Sequence, residues 1–217
     1  MTHPSTPASP APKNGWYARL FAWLMAHAAA QYEASMGDRK QSLFADIQGN
    51  VLEIGPGAGP NLSYYPKDIH WTGVEPNPYM HTYLHQEAKR LGLTVHLQTG
   101  TAERLEAEDN SMDAVVSTLV LCSVADLEGT LQEVRRVLKP GGKFYFVEHV
   151  AAPADTTLRR VQQWIRPFWQ AIGDGCRPDR ETWKAIEQAG FQQVSYEQFR
   201  APILPIVSPQ IIGVAVK

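Results

Sequence analysis

Apolar and polar positions follow two rhythms along this chain. Five short runs, 51–54 (VLEI), 70–74 (HWTGV), 94–98 (TVHLQ), 114–121 (AVVSTLVL) and 143–150 (KFYFVEHV), are largely apolar over the length of a strand. Between them, 79–91 and 127–138 carry apolar residues three and four apart, the spacing of one helix face. The second helix has clear ends. Asp126 can cap it, Leu127, Leu131, Val134 and Leu138 form its stripe, and "KPGG" at 139–142 stops it. Strands alternating with helices predict an α/β, doubly wound, mostly parallel sheet covered on both faces.

The two flanks depart from that rhythm. From Trp16 to about Ser35 the pattern is helical, with Trp16, Leu20, Trp23, Leu24 and His27 on one face. This helix precedes the first strand, so it is an added cover over a body built by later residues. After the fifth run, 155–172 reads as a helix bearing Trp164 and Trp169, and "GDGCRPD" follows as a loop. A further helix spans about 180–189, with Gly190 as its stop. "FQQVSYEQF" and "PQIIGVAVK" then read as two β segments, a hairpin-like addition at the sheet edge, with "APILPIVSP" between them. Residues 1–14, "MTHPSTPASPAPKN", are expected to be a disordered Pro-rich tail.

A length of 217 residues, 44% hydrophobic and 19% charged, suits one globular domain over 15–217, with 15–36 as the cover helix. A net charge of -2 argues against a nucleic-acid partner. Cys122 and Cys176 have no Cys or His neighbours at metal-ligand spacing, so neither a metal site nor a disulfide framework is expected, and a reducing cytoplasm is the default. The longest apolar run, "LFAWLMAHAAA", falls well short of the roughly 20 residues of a membrane span. At most, 15–36 makes peripheral membrane contact. No internal repeat is present, and the oligomeric state stays open.

The chemistry concentrates at strand ends. After the first run come Glu53 and three alternating glycines, Gly55, Gly57 and Gly59, where a bare backbone lets a ligand approach. A dinucleotide fingerprint needs a third glycine where Pro60 stands, and Pro60 has no amide hydrogen for a phosphate. A nicotinamide dehydrogenase is therefore disfavoured, and a nucleoside without phosphate fits better. Glu75, at the end of the second run, can accept from two ribose hydroxyls. Ala102 can offer its amide to an adenine nitrogen, and Glu103 can accept from the exocyclic amine. Asn61, Pro76, Thr101, Thr118 and Leu119 flank these positions and complete the candidate cofactor set. His81 and His85, four apart on a helix without a third ligand, are expected to face solvent.

In this order the segments resemble the class I S-adenosylmethionine-dependent methyltransferases, over roughly residues 40–217, with "VLKPGGKFYFVEH" matching their fifth-strand segment. The resemblance implies a Rossmann-like, seven-stranded sheet whose last strand is inserted antiparallel, S-adenosyl-L-methionine as cofactor and S-adenosyl-L-homocysteine as product. It also turns the glycine loop toward the methionine part of the cofactor. More narrowly, "STLVLCSV", "FYFVEHVAA", "GDGC" with "RETWKAIEQAGF", and "GVAVK" resemble the methyltransferase-like protein 7 group, whose members are thiol S-methyltransferases. Members of that group carry a long apolar N-terminal anchor, and a polar, Pro-rich stretch stands there in this chain.

A small, fairly apolar thiol is therefore the expected methyl acceptor. Its pKa of about 8.5 would fall beside a sulfonium cation, so it needs little help from a base. A hydroxyl, amine or carbon acceptor on a phenol- or quinone-like molecule would want a placed base, for which Glu148, His149 and Asp174 are the candidates. A protein that binds the cofactor without turnover is the remaining alternative. Trp16, Leu20, Trp23, Cys122, Trp164 and Trp169 are the expected walls of the acceptor pocket.

Overall fold

Strands that are apolar on both faces must lie inside a sheet with cover above and below. The computed structural model describes residues 15–28 and 30–217. It places β1 (Asn50–Ile54), β2 (His70–Val74), β3 (His96–Gln98), β4 (Met112–Thr118), β5 (Leu138–His149), β6 (Gln193–Arg200) and β7 (Pro209–Val216) in one sheet of order β3-β2-β1-β4-β5-β7-β6. β1 to β5 run parallel, and β7 runs antiparallel to both β5 and β6. This is the seven-stranded sheet with its last strand inserted antiparallel that the resemblance implies. Its strand order reverses between β1 and β4, so the crevice for a ligand lies beyond their carboxyl ends.

The two-residue period of a strand divides the core in two. Val51, Ala114, Val116 and Tyr145 face one side, where they pack with Phe44 of α2 (Ala30–Phe44) and Leu84 and Ala88 of α3 (Pro78–Leu91). Leu52, Ile54, Val115, Phe144 and Phe146 face the other, against Leu131 and Val134 of α4 (Leu127–Val137). Burying one such side chain contributes about 1.5–3 kcal/mol. Asp126 caps α4 as expected, accepting from Gly129 N at 2.9 Å.

Three expectations are corrected. The N-terminal helical segment is two helices, α1 (Gly15–Ala28) and α2, and the second runs on to Phe44, whose side chain belongs to the core. The fourth strand stops at Thr118 rather than at residue 121, because Leu119 takes a left-handed φ of 59° that a strand cannot continue. The two last strands do pair with each other, but β7 lies inside the sheet between β5 and β6, and only β6 is an edge. Residues 1–14, read as a tail, lie outside the described residues.

α1 turns its apolar face outward. Its Ala18 carbonyl accepts from Asn77 Nδ2 at 3.0 Å, and Tyr17 OH donates to the Ile172 carbonyl, at the end of α5 (Thr157–Ile172), at 2.8 Å. Trp16 is 69% exposed, and Leu20, Trp23 and Leu24 are exposed with it. No helix among the described residues is long and apolar enough to cross a membrane.

Candidate active site

The glycine loop is held from below by one carboxylate and from the side by another. Glu53 is fully buried and accepts from Asn61 Nδ2 (2.8 Å), Tyr65 OH (2.8 Å) and Trp71 Nε1 (3.0 Å). Burial pushes its carboxyl up, and the three donors oppose that. Its oxygens are engaged by the protein itself, so Glu53 fixes the loop from beneath. Asn61 also donates to Thr118 Oγ1 at 3.0 Å, tying the β1 loop to the end of β4, while its Oδ1 is buried without a partner among the described residues.

Gly55, Gly57 and Gly59 have φ of 59°, 56° and 85°, a region open to glycine at no steric cost. At Gly55 the need is also spatial, since a Cβ would lie 2.5 Å from Val120 Cγ2. At Gly57 a Cβ would meet nothing within 4 Å, so the loop presents bare backbone to open space. Glu75 is buried at the end of β2 and takes one amide on each oxygen, Gly57 N at 3.0 Å and Asn77 N at 2.8 Å. Burial lifts its pKa to about 7, and the Asp174 carboxylate adds to the effect. Pro76 is exposed between Glu75 and Asn77. His81 is half-buried rather than solvent-facing, with Nε2 3.0 Å from the Glu75 carbonyl oxygen. Past β3, Thr101 and Arg104 form a one-bridge turn that holds Ala102 buried, and Glu103 accepts from Ala125 N at 2.9 Å.

The acceptor side is built around the loop after β4. Glu148 is fully buried and accepts from Ser117 Oγ (2.6 Å), Val120 N (3.2 Å) and Leu121 N (3.1 Å). Burial raises its pKa. Glu148, a candidate base, is enclosed and occupied by these donors, and it holds the loop in shape. Arg180, which the sequence reading missed, clamps the same loop by donating to the Leu121 and Val124 carbonyls at 2.6 and 2.8 Å. Tyr65 and Trp71 were missed as well. Only their distance from the glycines hides them, since each is an aromatic residue able to donate to the carboxylate between them.

His149, at the end of β5, meets both cysteines. Its Nε2 lies 3.4 Å from Cys176 Sγ, and the ligand atoms of Cys122, His149 and Cys176 are all within 4.8 Å of one another. Here the fold brings together three possible ligands that sequence spacing kept apart. Trp169 Nε1 donates to Cys176 Sγ at 3.1 Å. Thiol donation from Cys122 holds Cys176 below its usual range and the indole adds to it, whereas burial pushes Cys122 well up. Asp174 sits in the same loop with a left-handed φ of 51°. Trp164, by contrast, is 82% exposed, so neither it nor Trp16, Leu20 and Trp23 forms an enclosed wall.

Comparisons with known proteins agree with this geometry. Residues 52–146 match the model of a methyltransferase domain. The chain is 38% identical over 214 residues to human thiol S-methyltransferase TMT1A, covering 92% of this chain and 86% of that protein. It is 42% identical over 213 residues to mouse thiol S-methyltransferase TMT1B, covering 91% and 86%. The chain belongs to the thiol S-methyltransferase family. This methyltransferase shares its fold with more distant solved structures. The Bacillus subtilis YcgJ protein superposes with a TM-score of 0.67 at 21% identity, over 85% of this chain and 98% of that one. A SAM-dependent methyltransferase from Aquifex aeolicus does so with 0.63 at 15%, over 91% and 97%. The enzyme is thus a methyltransferase dependent on S-adenosylmethionine, and its glycine loop, Glu75 and the 101–104 turn lie at successive strand ends of that fold.

Proposed function

We propose that this enzyme methylates small, fairly apolar thiols. The carrying observation is the reach of the similarity. Identity to the thiol S-methyltransferases covers 91–92% of the chain, well beyond the 52–146 methyltransferase domain. It therefore takes in elements on the acceptor side, α5 and the Cys176 loop among them, that binding the cofactor does not require.

The residues present suit S-adenosylmethionine. Each Glu75 oxygen already accepts one backbone amide and keeps a lone pair for a ribose hydroxyl. Gly57 leaves room for the methionine part, and Asn61 Oδ1, without a partner among the described residues, is an unused acceptor in the segment that follows β1. Ala102 and Glu103 would border the adenine. The bound cofactor supplies an electrophilic methyl group.

The chain's task is then to align an acceptor sulfur and keep water away, an effect that contributes on the order of 7–11 kcal/mol in well-oriented reactions. The loop over 119–124 does the aligning, held by Glu148 and Arg180. The acceptor sulfur, held in line with the donor's sulfur–methyl bond, would take up that methyl group as the bond parts and leaves its electron pair on the donor sulfur. The acceptor's proton passes to solvent.

Release of S-adenosylhomocysteine with matched acceptors, one skeleton ending in SH, OH or NH₂, tests the reading. Turnover confined to the SH compounds is expected. Turnover with OH or NH₂ alone would overturn the thiol acceptor.

A further inference from the structure

We propose that Cys122, His149 and Cys176 form a three-ligand site for a zinc ion whose fourth position takes the acceptor sulfur. The inference rests on the thiol reading above for that fourth ligand, and on geometry for the ion itself.

The three residues come from separate segments, the loop after β4, the end of β5 and the loop after α5, yet their ligand atoms lie within 4.8 Å of one another. Zinc–sulfur and zinc–nitrogen bonds of about 2.3 and 2.0–2.1 Å at a tetrahedral angle put sulfur and nitrogen roughly 3.5 Å apart. Cys176 Sγ and His149 Nε2 are 3.4 Å apart. The residues are 1%, 7% and 5% exposed, so neither bulk water nor surface carboxylates compete for the site.

The protein's own packing engages these groups only in part. The Cys122 sulfur makes long contacts, 3.6 Å to the Leu119 carbonyl and 3.4 Å to Ser123 Oγ, besides those to its neighbours Cys176 and His149. His149 Nδ1 is buried with no partner among the described residues. The Trp169 indole N–H on Cys176 Sγ is the kind of outer contact that orients a ligating thiolate.

The donor set identifies the ion. Two thiolates and one imidazole are borderline-soft ligands suited to zinc, and three protein ligands with one open position mark catalytic rather than structural zinc sites. Two thiolates also cancel the ion's two positive charges, so the filled site adds no net charge to a buried place.

Such an ion solves a problem specific to this acceptor. A free thiol with a pKa of about 8.5 is only a few per cent thiolate at pH 7. A thiol that coordinates the ion gives up its proton to solvent and is held as thiolate. The site is also in the right place. Cys122 lies two residues past Val120, whose side chain packs against Gly55 of the cofactor loop. The acceptor sulfur on the ion would then be aligned by the same loop that borders the methyl donor.

The test uses the full chain, purified without chelators and supplied with zinc, then exchanged into cobalt(II). One zinc per chain by elemental analysis is expected, with a thiolate-to-cobalt charge-transfer band in the near ultraviolet. A small aromatic thiol added without cofactor should shift that band, and the matching phenol should not. Cys176→Ser and His149→Gln should each lower retained zinc by at least about tenfold, the lower end of what even outer-shell changes cost. The wild-type cobalt spectrum does not depend on either variant folding. No retained metal and no band would overturn the site, and so would equal retention by both variants when their circular dichroism matches wild type. A band that the thiol leaves unmoved would overturn the acceptor role. An ion bound with the expected spectrum but no thiol ever methylated would instead sink the proposed function and leave the ion standing.

Discussion

The two halves of the crevice are assembled in different ways. On the cofactor side the parts come in series. Each strand is followed at once by its own contribution, the glycine loop after β1, Glu75 at the end of β2 and the 101–104 turn after β3. On the acceptor side the parts converge. Cys122, His149 and Cys176 come from a loop, a strand end and a second loop, the last two 27 positions apart, and meet only once β5 and α5 are in place. The first half is made mainly of backbone shape and the second of side chains, so substitutions should divide along the same line.

The largest effect is expected at Gly55, where backbone and packing coincide. Gly55→Ala would combine a left-handed cost of about 1–2 kcal/mol with overpacking of about 1–3 kcal/mol against Val120. Calorimetry should show a loss of stability near 3 kcal/mol, with cofactor binding weakened in the same variant. If Gly55→Ala melts like wild type, the backbone account of this half is wrong.

That contrast also explains what could be read from the sequence. The sheet, the glycine loop and Glu75 follow from short-range patterns, apolar runs, alternating glycines and an acidic strand end, because serial parts leave a serial trace. Asp126 likewise announced its cap. The Cys–His–Cys cluster left no such trace, since spacing in the chain says nothing about three separate segments that meet in space. The aromatic residues misled for the opposite reason. Trp16, Leu20 and Trp23 have the spacing of a buried helix face, yet they are exposed, because Ala22 and the bond from Asn77 to Ala18 seat α1 by its small side. Glu148 stood at the right strand end for a base, and only its three donors reveal that it is a strut.

Next in size is Glu148→Gln. It keeps the shape but turns an N–H₂ group toward at least one of the donors Ser117 Oγ, Val120 N and Leu121 N. An unsatisfied buried donor costs about 1–3 kcal/mol, so urea unfolding should show a drop of that order. Acceptor KM should rise while the cofactor Kd stays within about twofold, as additivity for separate sites requires. Equal damage to both constants would erase the division between the halves.

Glu75→Gln should have the reverse signature. Losing hydrogen bonds to a charged group, about 1.5–3 kcal/mol, weakens cofactor affinity by roughly 10- to 100-fold in a calorimetric titration. In wild type the same affinity should depend on pH. Glu75 titrates at about 7 in the free protein, and ribose hydroxyls donate to the ionised form, so affinity should fall about tenfold from pH 8 to pH 6. Stability responds with the opposite sign. The raised pKa favours the neutral carboxyl, so Glu75's contribution is complete below 4.5 and is lost as pH rises through about 7. The melting difference between wild type and Glu75→Gln should shrink across that window. A pH-independent difference would show that the carboxylate is already ionised.

The smallest effect separates the two tryptophans of α5. Trp164→Ser should change stability by less than about 0.5 kcal/mol, as an exposed position does. Trp169→Phe, which removes the N–H on Cys176, should cost about 1 kcal/mol. Equal costs would mean that the outer face of α5 is covered in solution.

The inserted β7 affects how the chain is made as well as how it folds. Synthesis runs from the N-terminus, so β1 to β5 and the helices between them leave the ribosome before the strand that fills the gap beside β5. Until Pro209–Val216 emerges, β5 is a raw edge and β6 has no neighbour. His149 pairs with Gln210, so its strand end is framed only at that moment. A nascent chain can therefore shape the cofactor side early, but it acquires a working acceptor side only with its last strand, and the open edge of β5 is what a chaperone would have to guard in the interval.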